Sequence, residues 1–232
     1  MSSRLTRLTS VNWQYAMGEI SIIVVGILIA LGLDNCNTSR VAAHLERDYL
    51  TRLAADLRRD TAMFAFTDSL LDGKEQALAA VDSVLSGELP LRDTVAFLQA
   101  VARSSNLGWN QPRVRPITFQ DLLSTGNLRL ISDLELRSGI VEYYRSAEGS
   151  YDRIRSRVPG YAQRTYELVP REDEFQYAGP LSGAELARLT ANALDPGLRP
   201  LLTAEQNFAR FIRQQNSLLR EHALRLLRLL EV

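Results

Sequence analysis

The stretch "YAMGEISIIVVGILIALGLDN" (Tyr15–Asn35) decides the fold of this chain. From Leu8 to Leu33, a run of 26 positions, the only charged residue is Glu19. A helix needs roughly 20 apolar residues to cross the hydrocarbon core of a bilayer, which is about 30 Å thick. Trp13 and Tyr15 come just before the most apolar part, where aromatic side chains commonly lie at the membrane interface. The stretch therefore predicts a transmembrane helix.

Three kinds of N-terminal segment share this apolar character. A cleaved signal peptide has a shorter apolar region and a small-residue cleavage site, to which Ala30–Gly32 is a poor match. A lipoprotein signal needs small residues just before the cysteine, whereas Asp34 and Asn35 precede Cys36. An uncleaved signal-anchor fits best. We expect a flank over residues 1–12, a transmembrane helix over 13–34 and a domain over 35–232.

The charges flanking the helix leave its orientation nearly balanced. Arg4 and Arg7 precede the helix, and Arg40, Arg47 and Arg52 follow it. Positive residues favour the cytoplasmic side, but a large folded domain crosses the membrane largely regardless of its own charge. We therefore expect the C-terminal domain to lie outside the cytoplasm.

One face of the predicted helix carries small residues together with the single carboxylate. At 100° per residue this face covers about a third of the circumference. Small residues let helix backbones approach closely in lipid, and a partner helix shields a carboxylate on the same face. This favours a helix–helix interface, in a homo-oligomer or with another membrane protein; the alternative is that Glu19 reaches the headgroups and the glycines are incidental. The candidate interface residues are Gly18, Glu19, Ile22, Gly26 and Ala30.

Two blocks of the chain resemble an uncharacterised family of small bacterial single-pass membrane proteins. The first block matches at Tyr15, Ala16, Gly18–Ile20, Gly26–Leu31, Asn35 and Asn37, and the second is Thr118–Arg145. The resemblance covers about a quarter of the chain. It implies a helical domain of unknown function anchored in the bacterial inner membrane, and it assigns no catalytic residue. Cys36 stands where that family tends to have Trp.

Residues 35–232 are predicted to form one all-α domain, an antiparallel helical bundle. No Pro or Gly occurs between Leu33 and Phe66, so we expect the membrane helix to continue into the domain. Strand-like alternation and fixed-period repeats are both missing from the sequence. Apolar residues recur at i, i+4 spacing in the first helix, as is typical of a helix with one buried face: Val41, Leu45, Tyr49, Leu53 and Leu57.

Turn and cap signals divide the rest of the domain. Asp72-Gly73 predicts a break, and loops are expected over 106–116 and 169–182. Short helices are predicted over Lys74–Leu85, Asp93–Arg103 and Gly183–Ala193, and another begins at a capping box at Thr118. A long helix is predicted from Ser132 or Asp133 to about Leu168, and Pro159 can divide it. The last helix is predicted from a capping box at Thr203 to about Leu230.

Composition excludes several functional classes. The net charge is zero, which gives no basis for nucleic-acid binding, and one cysteine allows neither an intramolecular disulfide nor a cysteine-based zinc site. His44 with Asp48, His222 with Glu221, and the acidic run of residues 171–174 are better explained as solvated surface groups than as metal ligands. Because no catalytic or nucleotide-binding motif is present, we expect no enzyme activity and no cofactor.

Five tyrosines in and after the long middle helix allow two interpretations. They line a small-ligand pocket, or they pack in the core with their hydroxyl groups at its rim. They are Tyr143, Tyr144, Tyr151, Tyr161 and Tyr166.

The sequence as a whole is consistent with two functions. The small-residue face favours a non-enzymatic protein that oligomerises or binds a membrane partner. The alternative is a ligand-sensing domain that signals through a partner.

Overall fold

A computed structural model describes residues 13–107, 113–169 and 181–230 of the chain. The described residues are helical, with no strand among them. The helices are α1 (Trp13–Leu85), α2 (Thr94–Ser104), α3 (Ile117–Ser124), a 3₁₀ turn (Asn127–Leu130), α4 (Leu134–Arg155), α5 (Gly160–Leu168), α6 (Gly183–Ala193) and α7 (Leu198–Leu230).

The chain divides into two units, Met1–Tyr49 and Leu50–Val232. The first unit contains the N-terminal part of α1, which is long and apolar enough to cross a membrane by its length and composition. Its large apolar side chains from Met17 to Leu33 are all exposed. The predicted flank of residues 1–12 and the Tyr15 side chain lie outside what the structure describes.

The second unit contains a hydrophobic core to which the later part of α1 and helices α2, α5, α6 and α7 contribute. Helix α4 packs against α7, and α5 packs against α2, α6 and α7. Hydrogen bonds connect α1 to the two other long helices, α4 and α7. Tyr143 of α4 donates to Asp60, and Asn216 of α7 donates to the Phe64 carbonyl. The core is formed by Leu71, Leu78 and Val81 of α1, Phe97, Leu98 and Val101 of α2, Tyr161 of α5, Leu189 of α6, and Leu198, Leu202 and Ile212 of α7, among others.

The contacts between α1 and α7 follow opposite directions along the two helices. Asn216 bonds to Phe64 and Asp68, Arg213 then bonds to Asp72 and Glu75, and Gln206 bonds to Asp82. As the residue numbers rise on α1, those of the partners on α7 fall.

Helix α1 continues through the predicted break at Asp72-Gly73. A glycine inside a helix costs about 1 kcal/mol relative to alanine. Leu71 and Lys74, on either side of Gly73, are fully buried, as is Leu78 one turn later. Burial of this face against α2 and α7 outweighs the glycine cost, so the prediction of a separate helix over Lys74–Leu85 is wrong.

Two further boundaries differ from those predicted from the sequence. Helix α3 begins at Ile117 with no side-chain cap, so the capping box at Thr118 is wrong. Helix α7 begins at Leu198, five residues before Thr203, because Leu198 and Leu202 are both buried and Pro200 is tolerated in a first turn. The prediction that Pro159 can divide the middle helix is confirmed: α4 ends at Arg155, and α5 begins at Gly160, directly after Pro159.

Other boundaries are confirmed. Asp133 caps α4 by accepting hydrogen bonds from the amides of Glu135 and Leu136, and α6 has the predicted bounds. Asp93 caps α2 through the amide of Ala96. An N-cap side chain satisfies amides that have no partner inside the helix, so these starts can be read locally from sequence.

Gly126, which links α3 to the 3₁₀ turn, has a left-handed backbone with φ of +69°. Replacing Gly126 with Ala is expected to lower the free energy of unfolding by about 1 kcal/mol, because a Cβ disfavours this conformation. Gly183 is the matched control: it has no positive φ and open space around a built Cβ. Gly183→Ala is expected to stabilise the chain by up to about 1 kcal/mol. Denaturant unfolding of both variants measures the difference; equal effects would contradict the prediction.

Candidate helix-association face and the buried polar clusters

The five candidate interface residues lie on α1, in the unit Met1–Tyr49. All five are exposed, and helical geometry brings them to one face of the helix. A Cβ built on Gly18 or Gly26 meets no other atom within 4 Å. We call Gly18, Glu19, Ile22, Gly26 and Ala30 the small-residue face. Within the part of the chain that the structure describes, this face leaves space for a second helix to approach.

Cys36 is exposed and follows this face on the same helix. At 100° per residue it lies at the edge of the face, on the side of Gly18. Because it is the only cysteine in the chain, it is a native chemical probe for a neighbouring copy of α1.

Three charged side chains meet inside the unit Leu50–Val232. Lys74 of α1 and Glu205 of α7 are fully buried, and their Nζ and Oε1 atoms lie 2.6 Å apart. Arg157, from the segment between α4 and α5, donates to the other Glu205 oxygen at 2.5 Å. Lys74 Nζ also donates to the carbonyls of Ser104 at 2.9 Å and Asn106 at 2.6 Å. This Lys74–Glu205–Arg157 cluster therefore ties together α1, the end of α2, the α4–α5 segment and α7.

The environment of the cluster indicates a structural role. Burial lowers the pKa of Lys74, and the charge of Glu205 partly offsets this by favouring the protonated amine. Every donor position of Lys74 is used, and the Arg157 guanidinium stacks 3.8 Å from the centre of the Phe208 ring. Both members of the ion pair have zero exposure.

A second polar cluster lies on the Leu50–Val232 part of α1, closer to its start. Asp56 and Asp60, one turn apart, are 5% and 4% exposed. Tyr143 of α4 donates to Asp60 Oδ2 at 2.9 Å, and the amide of Thr118 in α3 donates to Asp56 Oδ2 at 3.2 Å. Asp56 thus caps the first turn of α3 from another helix. Burial raises the pKa of Asp60 to about 6, the Tyr143 hydrogen bond lowers it, and the charge of Asp56 raises it.

Tyr144 completes this Asp56–Asp60 cluster. Its ring stacks on Phe119 at a centroid distance of 4.7 Å and meets the Tyr143 ring edge-on at 4.9 Å. Its hydroxyl is buried without a hydrogen-bond partner in the described part of the chain. Burial raises the pKa of Tyr144, as do the charges of Asp60 and Asp56, so the hydroxyl keeps its proton.

The five tyrosines do not share one pocket. Tyr143, Tyr144 and Tyr161 are buried, whereas Tyr166 is 59% exposed. Tyr144 borders a cavity of about 160 Å³ between α3 and α4, and Tyr151 borders a separate one of about 40 Å³. Small-molecule sites usually have about 300–1,000 Å³, so these cavities are small. An open, mainly apolar groove of about 460 Å³ lies where the end of α1 meets α2.

Of the remaining candidate groups, one lies on an exposed surface, one lies beside the Asp56–Asp60 cluster, and one lies outside the described residues. His44 and Asp48 pair at 3.3 Å on an exposed surface of α1. His222 packs edge-on against Tyr143, and burial lowers its pKa. The acidic run of residues 171–174 lies outside the described residues. Within residues 13–107, 113–169 and 181–230, no group of three or more His, Cys, Asp or Glu side chains is arranged to hold a metal ion.

Sequence reasoning missed both polar clusters, although one signal was present. Lys74 is the only lysine of the chain, and it occupies the apolar stripe between Leu71 and Leu78. Glu205 likewise stands on the stripe between Leu202 and Phe208. A charge at such a position indicates a buried ion pair, because an unpaired charge in a core is too costly.

No protein-family model, curated protein or solved structure matches this chain.

Proposed function

We propose that this chain is a single-pass protein of the bacterial inner membrane whose α1 associates with another transmembrane helix, and that it has no enzymatic role. The partner helix belongs to a second copy or to another membrane protein. The observation that carries the proposal is the small-residue face of α1, which is exposed and is not covered by the other residues that the structure describes. The resemblance of Tyr15–Asn37 and Thr118–Arg145 to bacterial single-pass proteins supports the location.

The exposed apolar surface supports membrane insertion. Ile20, Ile23 and Leu28, among others of this segment, are more than half exposed. An apolar surface of this length is unfavourable in water and favourable in lipid. Inside lipid, apolar side chains gain little from meeting each other, so close backbone packing at Gly26 and Ala30 and shielding of Glu19 supply the association energy.

We further propose that the C-terminal helices form an antiparallel bundle. The opposite order of the contacts along α1 and α7 supports this, as does the packing of α4 on α7. Such a bundle supplies a folded domain held at the membrane by α1.

The association proposal is tested with Gly26→Leu. A leucine on this face keeps the helix backbones apart, while nothing in the chain itself obstructs the new side chain. We expect disulfide-crosslinked dimer formed through Cys36 in native membranes, or capture of a partner membrane protein, to fall about tenfold, equivalent to about 1.4 kcal/mol. Gly32→Leu is the control: Gly32 has equally open surroundings but lies off the face.

The two forms of association give different results. Crosslinked dimer that depends on Gly26 indicates a homo-oligomer, whereas a captured partner that depends on Gly26 indicates a hetero-complex. Association that Gly26→Leu leaves at the wild-type level would rule out the small-residue face as the interface. The sequence leads us to expect the domain outside the cytoplasm, and a reporter fused after Val232 tests this location.

A second candidate function is ligand sensing by the domain, with signalling through a partner. The cavity of about 160 Å³ between α3 and α4 favours it, because Arg113, Arg145 and Gln120 border it beside apolar side chains. A thermal-shift screen of the full chain in detergent tests this function. A stabilising ligand whose effect is lost in Leu123→Trp, which fills the cavity, would support it, and the absence of any stabilising ligand would argue against it.

A further inference from the structure

The Asp56–Asp60 cluster holds more negative charge than its surroundings balance. On α1 itself, the only cation bonded to either carboxylate is Arg59, whose Nη1 lies 3.2 Å from Asp56 Oδ1 and whose side chain is 57% exposed. An exposed guanidinium is largely solvated and compensates a buried carboxylate only in part. Asp60 receives one neutral hydrogen bond, from Tyr143.

Among the described residues, the other helices around Asp60 bring no further cation into contact with it. Helix α4 contributes two neutral phenols, Tyr143 and Tyr144, and α3 contributes the Thr118 amide to Asp56. Helix α7 contributes His222, whose ring meets the Tyr143 ring edge-on at a centroid distance of 5.7 Å. Burial lowers the pKa of His222, and Arg225 lowers it further, so the imidazole is neutral near pH 7.

A further charged pair joins α1 to α3. Arg52 of α1 and Asp121 of α3 lie 2.9 Å apart and balance each other. A buried carboxylate without an equal counter-charge is costly when ionised, and protonation removes that cost.

The Tyr144 hydroxyl provides a second, independent observation. It is buried with no partner among the described residues, and the carboxylates of Asp56 and Asp60 are close enough to act on it electrostatically. A protonated Asp carboxyl has an O–H that can donate, and a phenol oxygen can accept. Adding one proton to the cluster therefore satisfies the carboxyl charge and supplies a donor near an unpaired hydroxyl.

We propose that Asp60 takes up a proton from solution and that this proton acts as a pH-sensitive latch holding α1 against α4. At mildly acidic pH the carboxyl is neutral, and the contact of α1 with Tyr143 and Tyr144 is tight. At neutral pH the buried charge weakens that contact. This inference concerns the folded domain alone and does not depend on the proposed association of α1.

The sign of the pH dependence follows from linkage. The pKa of Asp60 is about 6 in the folded chain, above the usual value of 3.8, so the folded state binds the proton more tightly than the unfolded state. Through this group, stability rises as the pH falls from about 7 to about 4 and is level outside that window. The pKa of Asp60 differs by about two between the folded and unfolded states, and this difference corresponds to a change of about a hundredfold in the folding equilibrium across the window.

The latch is tested by thermal unfolding of the full chain in detergent between pH 4.5 and 7.5. Asp60→Asn is uncharged at every pH and nearly the same size. We expect its midpoint temperature at pH 7.5 to exceed that of the wild type by several degrees, and its rise on acidification to be smaller. Asp152→Asn is the control, because Asp152 is an exposed carboxylate on α4. It should keep the wild-type pH profile.

Tyr143→Phe provides a second test, because this variant should keep the pH transition and move its midpoint, whereas Asp60→Asn should reduce the transition itself. The Tyr143 hydrogen bond favours the ionised form of Asp60, so its removal should shift the midpoint of the pH transition upward. Hydrogen exchange of the α1 and α4 amides around Asp60 and Tyr143, corrected for the intrinsic effect of pH, should slow at pH 6 relative to pH 7.5. An Asp60→Asn profile parallel to wild type, or an unshifted midpoint in Tyr143→Phe, would overturn the proposal.

Discussion

Replacing Glu205 with Gln is expected to lower the free energy of unfolding by about 3–5 kcal/mol, the usual cost of removing one member of a buried ion pair. The variant keeps the size of the side chain and removes its charge. Lys74, fully buried, and Arg157 then have no anion between them. Denaturant unfolding of the full chain in detergent, followed by circular dichroism, measures the loss.

The pH dependence of this variant provides an internal check. Burial already lowers the pKa of Lys74, and removing Glu205 lowers it further. The unfolded chain then binds the Lys74 proton more tightly than the folded chain, so the stability of the variant should recover as the pH rises towards the ordinary pKa of lysine. Glu221→Gln, an exposed position on the same helix, should change stability by no more than about 0.5 kcal/mol. Equal losses of unfolding free energy in Glu205→Gln and Glu221→Gln would show that the buried ion pair does not stabilise the fold.

The second large effect is expected from Leu98→Ala in α2. Leu98 is fully buried in the core formed with α1, α5, α6 and α7. Its truncation removes buried apolar surface and leaves a cavity, at a cost of about 2–5 kcal/mol. The same unfolding measurement applies, and the midpoint denaturant concentration should fall while the slope stays unchanged.

Val95 on the same helix provides the matched control. It is 43% exposed, and Val→Ala raises helix propensity slightly, so Val95→Ala should leave stability within about 0.5 kcal/mol of the wild type. A loss at Leu98 no larger than that at Val95 would contradict the assignment of this face of α2 to the core.

The helices that the sequence predicted correctly are those with local signals. Asp133 caps α4 through amides two and three residues away, and Ser182 begins α6 with a capping box that closes within four residues. The wrong predictions involve positions where distant residues decide. Gly73 remains helical because its neighbours are buried by α2 and α7, and the first turn of α3 receives its cap from Asp56, 62 residues earlier.

The candidate sites divide in the same way. The small-residue face depends only on the 3.6-residue period of one helix, so Gly18, Glu19, Gly26 and Ala30 can be grouped from sequence. Asp60 and Tyr143 are 83 residues apart, and no local pattern connects them. Their spacing in the chain carries no information about the angle at which α4 crosses α1.

The sequence by itself determined that the chain is helical and that α1 carries an apolar run long enough to span a membrane, because both properties follow from residues a few positions apart. Only the tertiary structure decided that the single lysine is buried against Glu205, 131 residues away, and that Asp60 is enclosed by Tyr143 and Tyr144. Burial depends on which helices meet, and a charged side chain acquires its pKa and its energetic role only when its solvent has been replaced by those neighbours.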